Sequence, residues 1–351
     1  MKNVDYIIVG CGLAGIAFCE QLRKFNKSFK VFDNNSQRSS SVAAGLYNPV
    51  ILKRFTPAWF AKEQLALAMP HYNELEQLLK VKLNYPISVR RKFTSIKEQN
   101  NWAVASDKPI LSEFIHSEIL KNNNPEIDAP FGFGKVLHSG RIHTKTLVER
   151  YRDYLRNQDL FSKERLSPNH LKVTETDIHY KGDLKAKYII FTEGFGAKAN
   201  PFFEDLPIVG LKGEMLIIKA PKLKLDFIIK SSVFVVPMGE DLYWVGATYN
   251  REDKTESISE EGKTQLISKL KTVVNCDFEV REQVAGIRPT TKDRRPLVGA
   301  SLLHKNVYML NGMGTRGVMI APYIAKQLFD HIELAHSLDS EIDLSRFKAF
   351  R

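Results

Sequence analysis

Cysteine is scarce in this chain. There are three in 351 residues, Cys11, Cys19 and Cys276, an odd number with no CxxC pair. That argues against a disulfide framework and against a zinc site. Cys11 and Cys19 read as small packing residues of the first helix. Long apolar runs are also missing. No stretch approaches the ~18 consecutive apolar residues of a membrane-crossing helix. Lys2 and the apolar residues after it have the look of a secretory leader, but Asp5, the early glycines and Glu20 interrupt it. No small-residue cleavage site follows, so a cytoplasmic protein is expected. Internal repeats, low-complexity tracts, a clear linker and an obvious catalytic His, Glu or Ser motif are all lacking. Negative charge is in the minority, 40 acidic residues against 51 basic ones, for a net charge of +11. Basic clusters at Lys53-Arg54, Arg90-Arg91-Lys92, residues 219–224 and Arg294-Arg295 permit binding of a polyanion such as RNA. None of them is interleaved with aromatics in a nucleic-acid motif, and a basic solvated surface is the plainer reading.

What is present is the composition of a soluble globular protein, 43% hydrophobic and 26% charged, with length enough for two domains. The most informative stretch is residues 5–33. An apolar run, Tyr6 to Val9, leads into Gly10, Gly12 and Gly15, then a helical pattern through Leu13, Ile16, Ala17 and Leu22, then a second apolar run ending on Asp33. Strand, glycine turn, helix, strand and acid in about 30 residues is the dinucleotide-binding unit. Gly10 lets the chain turn, Gly12 leaves room for a pyrophosphate, and Gly15 lets helix and strand pack closely. The helix start, Leu13 and Ala14, presents free N–H groups and a positive dipole end to the phosphates. Asp33, with Asn34 beside it, is placed to accept a hydrogen bond from an adenosine ribose and disfavours a 2′-phosphate. This unit alone does not separate FAD from NAD.

Along the chain, a polar segment (34–41) precedes the small residues of 42–46. Residues 58–80 form an amphipathic helix that Pro70 is expected to break or kink. A strand is expected over 85–93, a helix carrying Trp102 from 97, a loop over 121–130 and a strand over 131–138. A helix over 144–157 is followed by short strands at 161–166 and 171–174 and a hairpin over 177–187. The apolar run Tyr188 to Phe191, ending in Thr192-Glu193-Gly194, reads as a buried central strand. Residues 214–219, 227–237 and 242–247 read as antiparallel strands. Residues 257–274 read as a helix capped by Ser259, and 278–288 as a further strand. A buried strand at 307–310, a glycine turn at 311–317 and a helix over 318–331 complete the core. The last twenty residues are expected to be a surface helix and tail.

Four stretches together resemble the D-amino-acid oxidase-like flavoproteins, which include glycine oxidase, sarcosine oxidase and the oxidase domain of a tRNA wobble-uridine modifying enzyme. They are the N-terminal unit, Ala43 to Pro49 (AAGLYNP), Gly286 to Asp293 with Arg295 to Gly299, and Gly312 to Gly317 with Ala321-Pro322. The resemblance covers nearly the whole chain and moves the ligand from NAD to FAD. It implies a mixed α/β fold, with a Rossmann-like FAD-binding domain (1–85, 139–212, 285–351) interleaved with a mostly antiparallel-sheet substrate domain (86–138, 213–284). It implies FAD contacts from Ala44, Gly45 and Leu46, from Glu164-Arg165-Leu166 along the adenine, and from Thr192 and Gly194 near the pyrophosphate. Gly312, Gly314, Thr315, Gly317 and Val318 would hold the flavin edge and ribityl chain. No cysteine stands where sarcosine oxidases attach FAD, so non-covalent FAD is expected.

The implied chemistry is oxidation of a C–N bond of an amine or amino acid, with the imine hydrolysing in water. Arg288 and Arg316 would hold a substrate carboxylate. The structural alternatives are an Arg288–Asp293 pair and an Arg316 contact to flavin or backbone. Phe234 stands where some relatives place a substrate-binding tyrosine, for which Tyr249 or Tyr243 could substitute. Among relatives, the late glycine motifs look closest to the tRNA-modifying oxidase, so tRNA is carried as an alternative partner beside a small amine. A flavin-binding protein without turnover is the third reading.

Overall fold

The computed structural model describes residues 1–347. The chain begins with the expected unit: strand Lys2–Val9, helix Leu13–Lys24, strand Phe29–Phe32. The two strands are parallel, and Leu184–Phe191 lies parallel on the other side of the first. Val307–Asn311 joins parallel to that strand in turn. These central strands are buried on both faces, which is why Tyr6 to Val9 and Tyr188 to Phe191 carry continuous apolar runs rather than alternating ones. The C-terminal ends of three parallel strands, at Val9, Phe191 and Asn311, therefore lie side by side. In open α/β sheets that edge is where ligands bind.

A second eight-stranded sheet runs in the order Glu279–Thr290, Val209–Lys219, Leu242–Gly246, Phe234–Gly239, Ile228–Lys230, Val89–Lys92, Phe133–Val136, Ile115–Leu120. It is antiparallel apart from the Ile228–Lys230/Val89–Lys92 pair. One face packs helix Glu260–Lys271 through Leu266 and Leu270 over a core containing Leu216, Val235 and Val245. The other carries Met215, Val236 and Trp244 into the core of the first sheet. Period-two alternation along these strands is what makes a sheet with two different packing faces.

Several expectations are corrected. The helix Ala61–Leu79 runs unbroken through Pro70. Proline removes one N–H and leaves the carbonyl four residues back, at Ala66, without a partner. Pro70 and Ala66 both lie on the exposed face, where the lost donor is least costly because solvent has access to that carbonyl. The run 85–93 is two strands, Asn84–Pro86 and Val89–Lys92, in two different sheets. The run 161–166 is a strand only at Phe161–Ser162. Among the described residues, the stretch after helix Gly317–Leu334 is not a surface helix. Ile342 is fully buried, its carbonyl accepts the Val298 N–H at 3.0 Å, and Leu344–Phe347 is a short 3₁₀ turn. The rest of the expected tail lies outside the described residues.

Candidate active site

A cleft of about 1110 Å³, open to solvent, lies between the strand ends of the first sheet and the inner face of the second. Its floor begins with the first glycine turn. Gly10 has φ +103°, and a Cβ there would stand 2.7 Å from the carbonyl oxygen of Thr192. The Thr192 hydroxyl donates to the carbonyls of Val9 and Gly10, 2.9 Å from each, and so pins the turn to the neighbouring strand. A Cβ on Gly12 would meet the Ser40 hydroxyl at 2.9 Å. Gly12, Leu13 and Ala14 line the cleft at the start of a helix with no side-chain cap and no acid in its first turn. The Leu13 N–H donates to the Ser40 hydroxyl at 3.3 Å; the other N–H groups there, with the dipole end behind them, suit an anion.

At the far end of this floor Asp33 holds the turn from below. Its Oδ2 accepts the Cys11 N–H at 2.6 Å and its Oδ1 accepts the Asn35 N–H at 2.6 Å. Arg152, from helix Thr144–Asn157, donates to Asp33 Oδ1 at 3.1 Å and to Asn35 Oδ1 at 2.7 Å. Asn34 accepts the Ser36 N–H at 3.0 Å and faces outward. The second glycine turn closes the opposite side. Asn311 donates to the Gly194 carbonyl and accepts the Gly312 N–H, both at 2.8 Å, and Gly314 donates to Pro289 O at 2.9 Å. Gly312 and Gly314 take positive φ, +77° and +57°.

The loop of small residues forms the side wall. Val42, Ala43, Ala44, Gly45 and Leu46 line it. The Trp244 indole N–H donates to Val42 O at 3.2 Å, tying this wall to the roof. The roof is the inner face of the antiparallel sheet: Met215, Phe234, Trp244, Ala247, Tyr249, Gly286 and Arg288. Arg288 stacks its guanidinium 5.2 Å over the Tyr249 ring, and its Nη1 is buried without a hydrogen-bond partner. Burial works against its positive charge, and no carboxylate faces it. Asp293 pairs with Arg346 at 3.0 Å, so the alternative of an Arg288–Asp293 pair is not what the structure shows.

Arg316 sits deeper, just before helix Gly317–Leu334. It donates to Asn48 O at 2.6 Å and to Val50 O at 3.3 Å, and burial pushes its pKa down to about 10. The Tyr249 phenol is within coulombic reach of Arg316, as it is of Arg288.

Of the residues singled out from sequence, the structure therefore brings Gly12, Leu13, Ala14, Ala44, Gly45, Leu46, Thr192, Gly194, Gly314, Thr315, Gly317, Val318 and Arg288 to one cleft wall. Gly10, Gly15, Asp33, Gly312 and Arg316 stand directly behind it. Arg165 lies exposed beyond the strand that ends at Ser162. Tyr249 lines the cleft, whereas Tyr243 is buried in the other core, its hydroxyl accepting the Leu225 N–H at 3.3 Å. Sequence reasoning missed Arg152, Ser39, Ser40, Met215 and Trp244. Only Ser39 and Ser40 gave a signal, as a polar run directly before the small-residue loop.

Comparison with known proteins agrees with this geometry. A model of the family described as FAD dependent oxidoreductase (DAO) matches residues 5–331. The chain is 22% identical to glycine oxidase of Bacillus subtilis over 371 aligned positions, covering all of this chain and 97% of that protein. It is 27% identical over 85% of its length to the tRNA 5-methylaminomethyl-2-thiouridine biosynthesis bifunctional protein MnmC of Campylobacter jejuni subsp. doylei, and spans only 46% of that protein. Other bifunctional proteins of this name are matched over a quarter to a third of their length. The crystal structure of glycine oxidase from Geobacillus kaustophilus superposes with a TM-score of 0.81 at 18% identity, covering 99% of this chain and 98% of that one, which shows the shared fold.

Proposed function

Since the chain belongs to the DAO family of FAD-dependent oxidoreductases, we propose that its substrate is a small amine carrying a carboxylate, oxidised at the carbon–nitrogen bond. The residues present fit FAD: a first glycine turn with no room for a Cβ, a second held at positive φ, an uncapped helix start, and the Asp33 carboxylate at the ribose end. FAD, when bound, supplies the two-electron sink, and the imine released hydrolyses in water.

The observation that carries the proposal is Arg288, a buried guanidinium with an unpaired Nη1 on the cleft roof. A carboxylate set against the donors of that guanidinium that face the cleft accepts two parallel hydrogen bonds and so fixes the Cα–H toward the floor. Arg316 adds a second positive charge from behind while bracing the 48–50 wall. Tyr249, 66% exposed, covers the carboxylate side. Among the described residues, Tyr249 and Arg288 are the only titratable side chains lining the cleft. No carboxylate or histidine among the described residues lines it to take a proton, so the amine must enter unprotonated. Accordingly, kcat/KM should rise about tenfold per pH unit below the substrate's own ammonium pKa.

Non-covalent cofactor goes with this reading, since no cysteine lines the cleft. So does a cytoplasmic setting, as the three cysteines are free and buried and no helix among the described residues is long and apolar enough to cross a membrane. The test is anaerobic titration of the purified yellow protein with glycine and N-substituted glycines. Bleaching of the flavin by one of them, with peroxide formed in air, supports the proposal. A protein that no amine bleaches refutes it.

The net charge of +11 and the resemblance to the tRNA-modifying proteins favour a second reading, oxidation of a carboxymethylaminomethyl-type group on tRNA. It requires tRNA binding that weakens steeply with salt. Binding that is absent or indifferent to salt removes it.

A further inference from the structure

Arg141 has no role in the cleft as described so far. It lies on the short strand Gly140–Ile142, between Leu46–Tyr47 and Asn84–Pro86. Its register partners are Leu46 on one side and Tyr85 on the other. Residues directly opposite in antiparallel pairs share a face. Arg141 therefore shares a face with Leu46, its cross-strand neighbour, which lines the cleft; Arg141 itself is not one of the lining residues.

Its surroundings are unusual for a cation. Only 4% of Arg141 is exposed. Its side chain has no hydrogen bond and no ion pair among the described residues. Its one partner is the Tyr85 ring, 4.9 Å from the guanidinium carbon. No carboxylate offsets the burial, and the charge is strong enough to help hold the neighbouring His143 below the usual histidine range. Yet its nitrogens are not sealed as Arg288 Nη1 is. What remains open of Arg141 includes the donor atoms themselves. A nearly buried guanidinium with open donors and no counterion is a receptor for an anion brought from outside.

We propose that Arg141 recognises a second acidic group, carboxylate or phosphate, on the amine substrate whose first carboxylate Arg288 holds. The enzyme then selects diacidic amines over glycine. Ring stacking on Tyr85 keeps the fork flat and pre-aimed, so a planar carboxylate or a phosphate edge meets two donors at once. The inference rests on the amine-acid reading of the cleft, but its test does not require turnover.

The holoenzyme is titrated anaerobically with glycine, iminodiacetate, O-phosphoserine and inorganic phosphate, followed by calorimetry and by the perturbation of the oxidised flavin spectrum. The wild type should bind at least one diacidic amine ten-fold or more tighter than glycine. Arg141→Gln should abolish that preference and leave glycine binding and FAD content unchanged, while Arg141→Lys keeps part of it. Iminodiacetate and O-phosphoserine separate a carboxylate from a phosphate as the second group. Equal affinity of the wild type for glycine and both diacidic amines overturns the proposal without any variant. Parallel loss of glycine binding in Arg141→Gln, loss of FAD, or Arg141-dependent binding of inorganic phosphate that does not compete with the diacid overturns it as well.

Discussion

Gly213 offers a way to move Arg288 without mutating it. Gly213 lies on strand Val209–Lys219 and pairs with Gly286 on the neighbouring strand. A Cβ on Gly213 would stand 2.5 Å from Cζ of Arg288 and closer still to both Nη atoms. Those atoms are the far end of a flexible side chain, so the backbone can stay where it is and the guanidinium yields. To restore an ordinary contact of ~3.5 Å it must retreat by about 1 Å. A displacement of that size at a group that positions substrate costs up to about 10²-fold in rate, or about 2.7 kcal/mol. Gly213→Ala should therefore fold, hold FAD and keep the same melting temperature within a few degrees. Its kcat/KM for an amino acid should fall 10- to 100-fold, mostly through KM if Arg288 binds ground and transition states alike. The effect should shrink for an amine lacking a carboxylate, which has nothing for Arg288 to hold. Steady-state kinetics on such a pair of substrates, with flavin content measured on the same samples, decides the matter. Unchanged kcat/KM for the amino acid in an FAD-loaded variant would refute the assignment of Arg288 to the carboxylate.

Two other perturbations test the surroundings. Lys230 is partly buried against the Phe234 ring, 4.5 Å from its centroid, and burial, then Arg91 and Lys269, push its pKa from 10.5 down to about 8. A lysine with a depressed folded pKa destabilises the fold while it is charged, and that penalty fades as pH rises from about 8 to 10.5. Lys230→Met should gain roughly 1–3 kcal/mol at pH 7 and nothing near pH 10.5. Denaturation at the two pH values checks this, and a gain of equal size at both contradicts it. Asp33→Asn leaves Arg152 buried without its counterion, a loss of about 3–5 kcal/mol in the apoprotein. The double variant Asp33→Asn/Arg152→Met should recover much of that stability but not FAD affinity, and failure to recover any would place the loss elsewhere.

The parts legible in the sequence are those whose signal is local. The strand–glycine–helix–strand–acid order is contained in residues 5–33 and folds as read. The later glycine turn is likewise a compact string whose special backbone angles show in its residue types. Pairings between distant residues were not legible. Arg152 meets Asp33 across 119 positions of sequence. Trp244 reaches Val42 across 202. A helix stripe that contains Arg152 reads the same whether that arginine faces water or a buried acid. Pro70 misled for a related reason: the carbonyl it orphans, at Ala66, lies on the exposed face, and sequence does not say which face is wet. The run 85–93 alternates as one strand should, yet Ile87 and Ser88 carry the chain from one sheet to another. Alternation records burial, not partnership.

The four buried arginines around the cleft fall into two kinds, and the difference carries functional information. Arg152 is neutralised by Asp33, and Arg316 gives its donors to the carbonyls of Asn48 and Val50. Both place their Nη donors on acceptors that the fold supplies, and both brace the site. Arg288 and Arg141 face no acid, and each has only an aromatic ring beneath it. Nothing in a chain with 40 carboxylates prevents supplying a partner to each. Folding alone favours doing so, because an unpaired buried charge is among the more costly features a core can hold. On the proposed reading, the anions missing at Arg288 on the cleft and at Arg141 beside Leu46 arrive and leave with substrate. A catalyst that must release its product cannot neutralise its own recognition groups, and on that reading the stability lost at Arg288 and Arg141 is recovered only while substrate is bound.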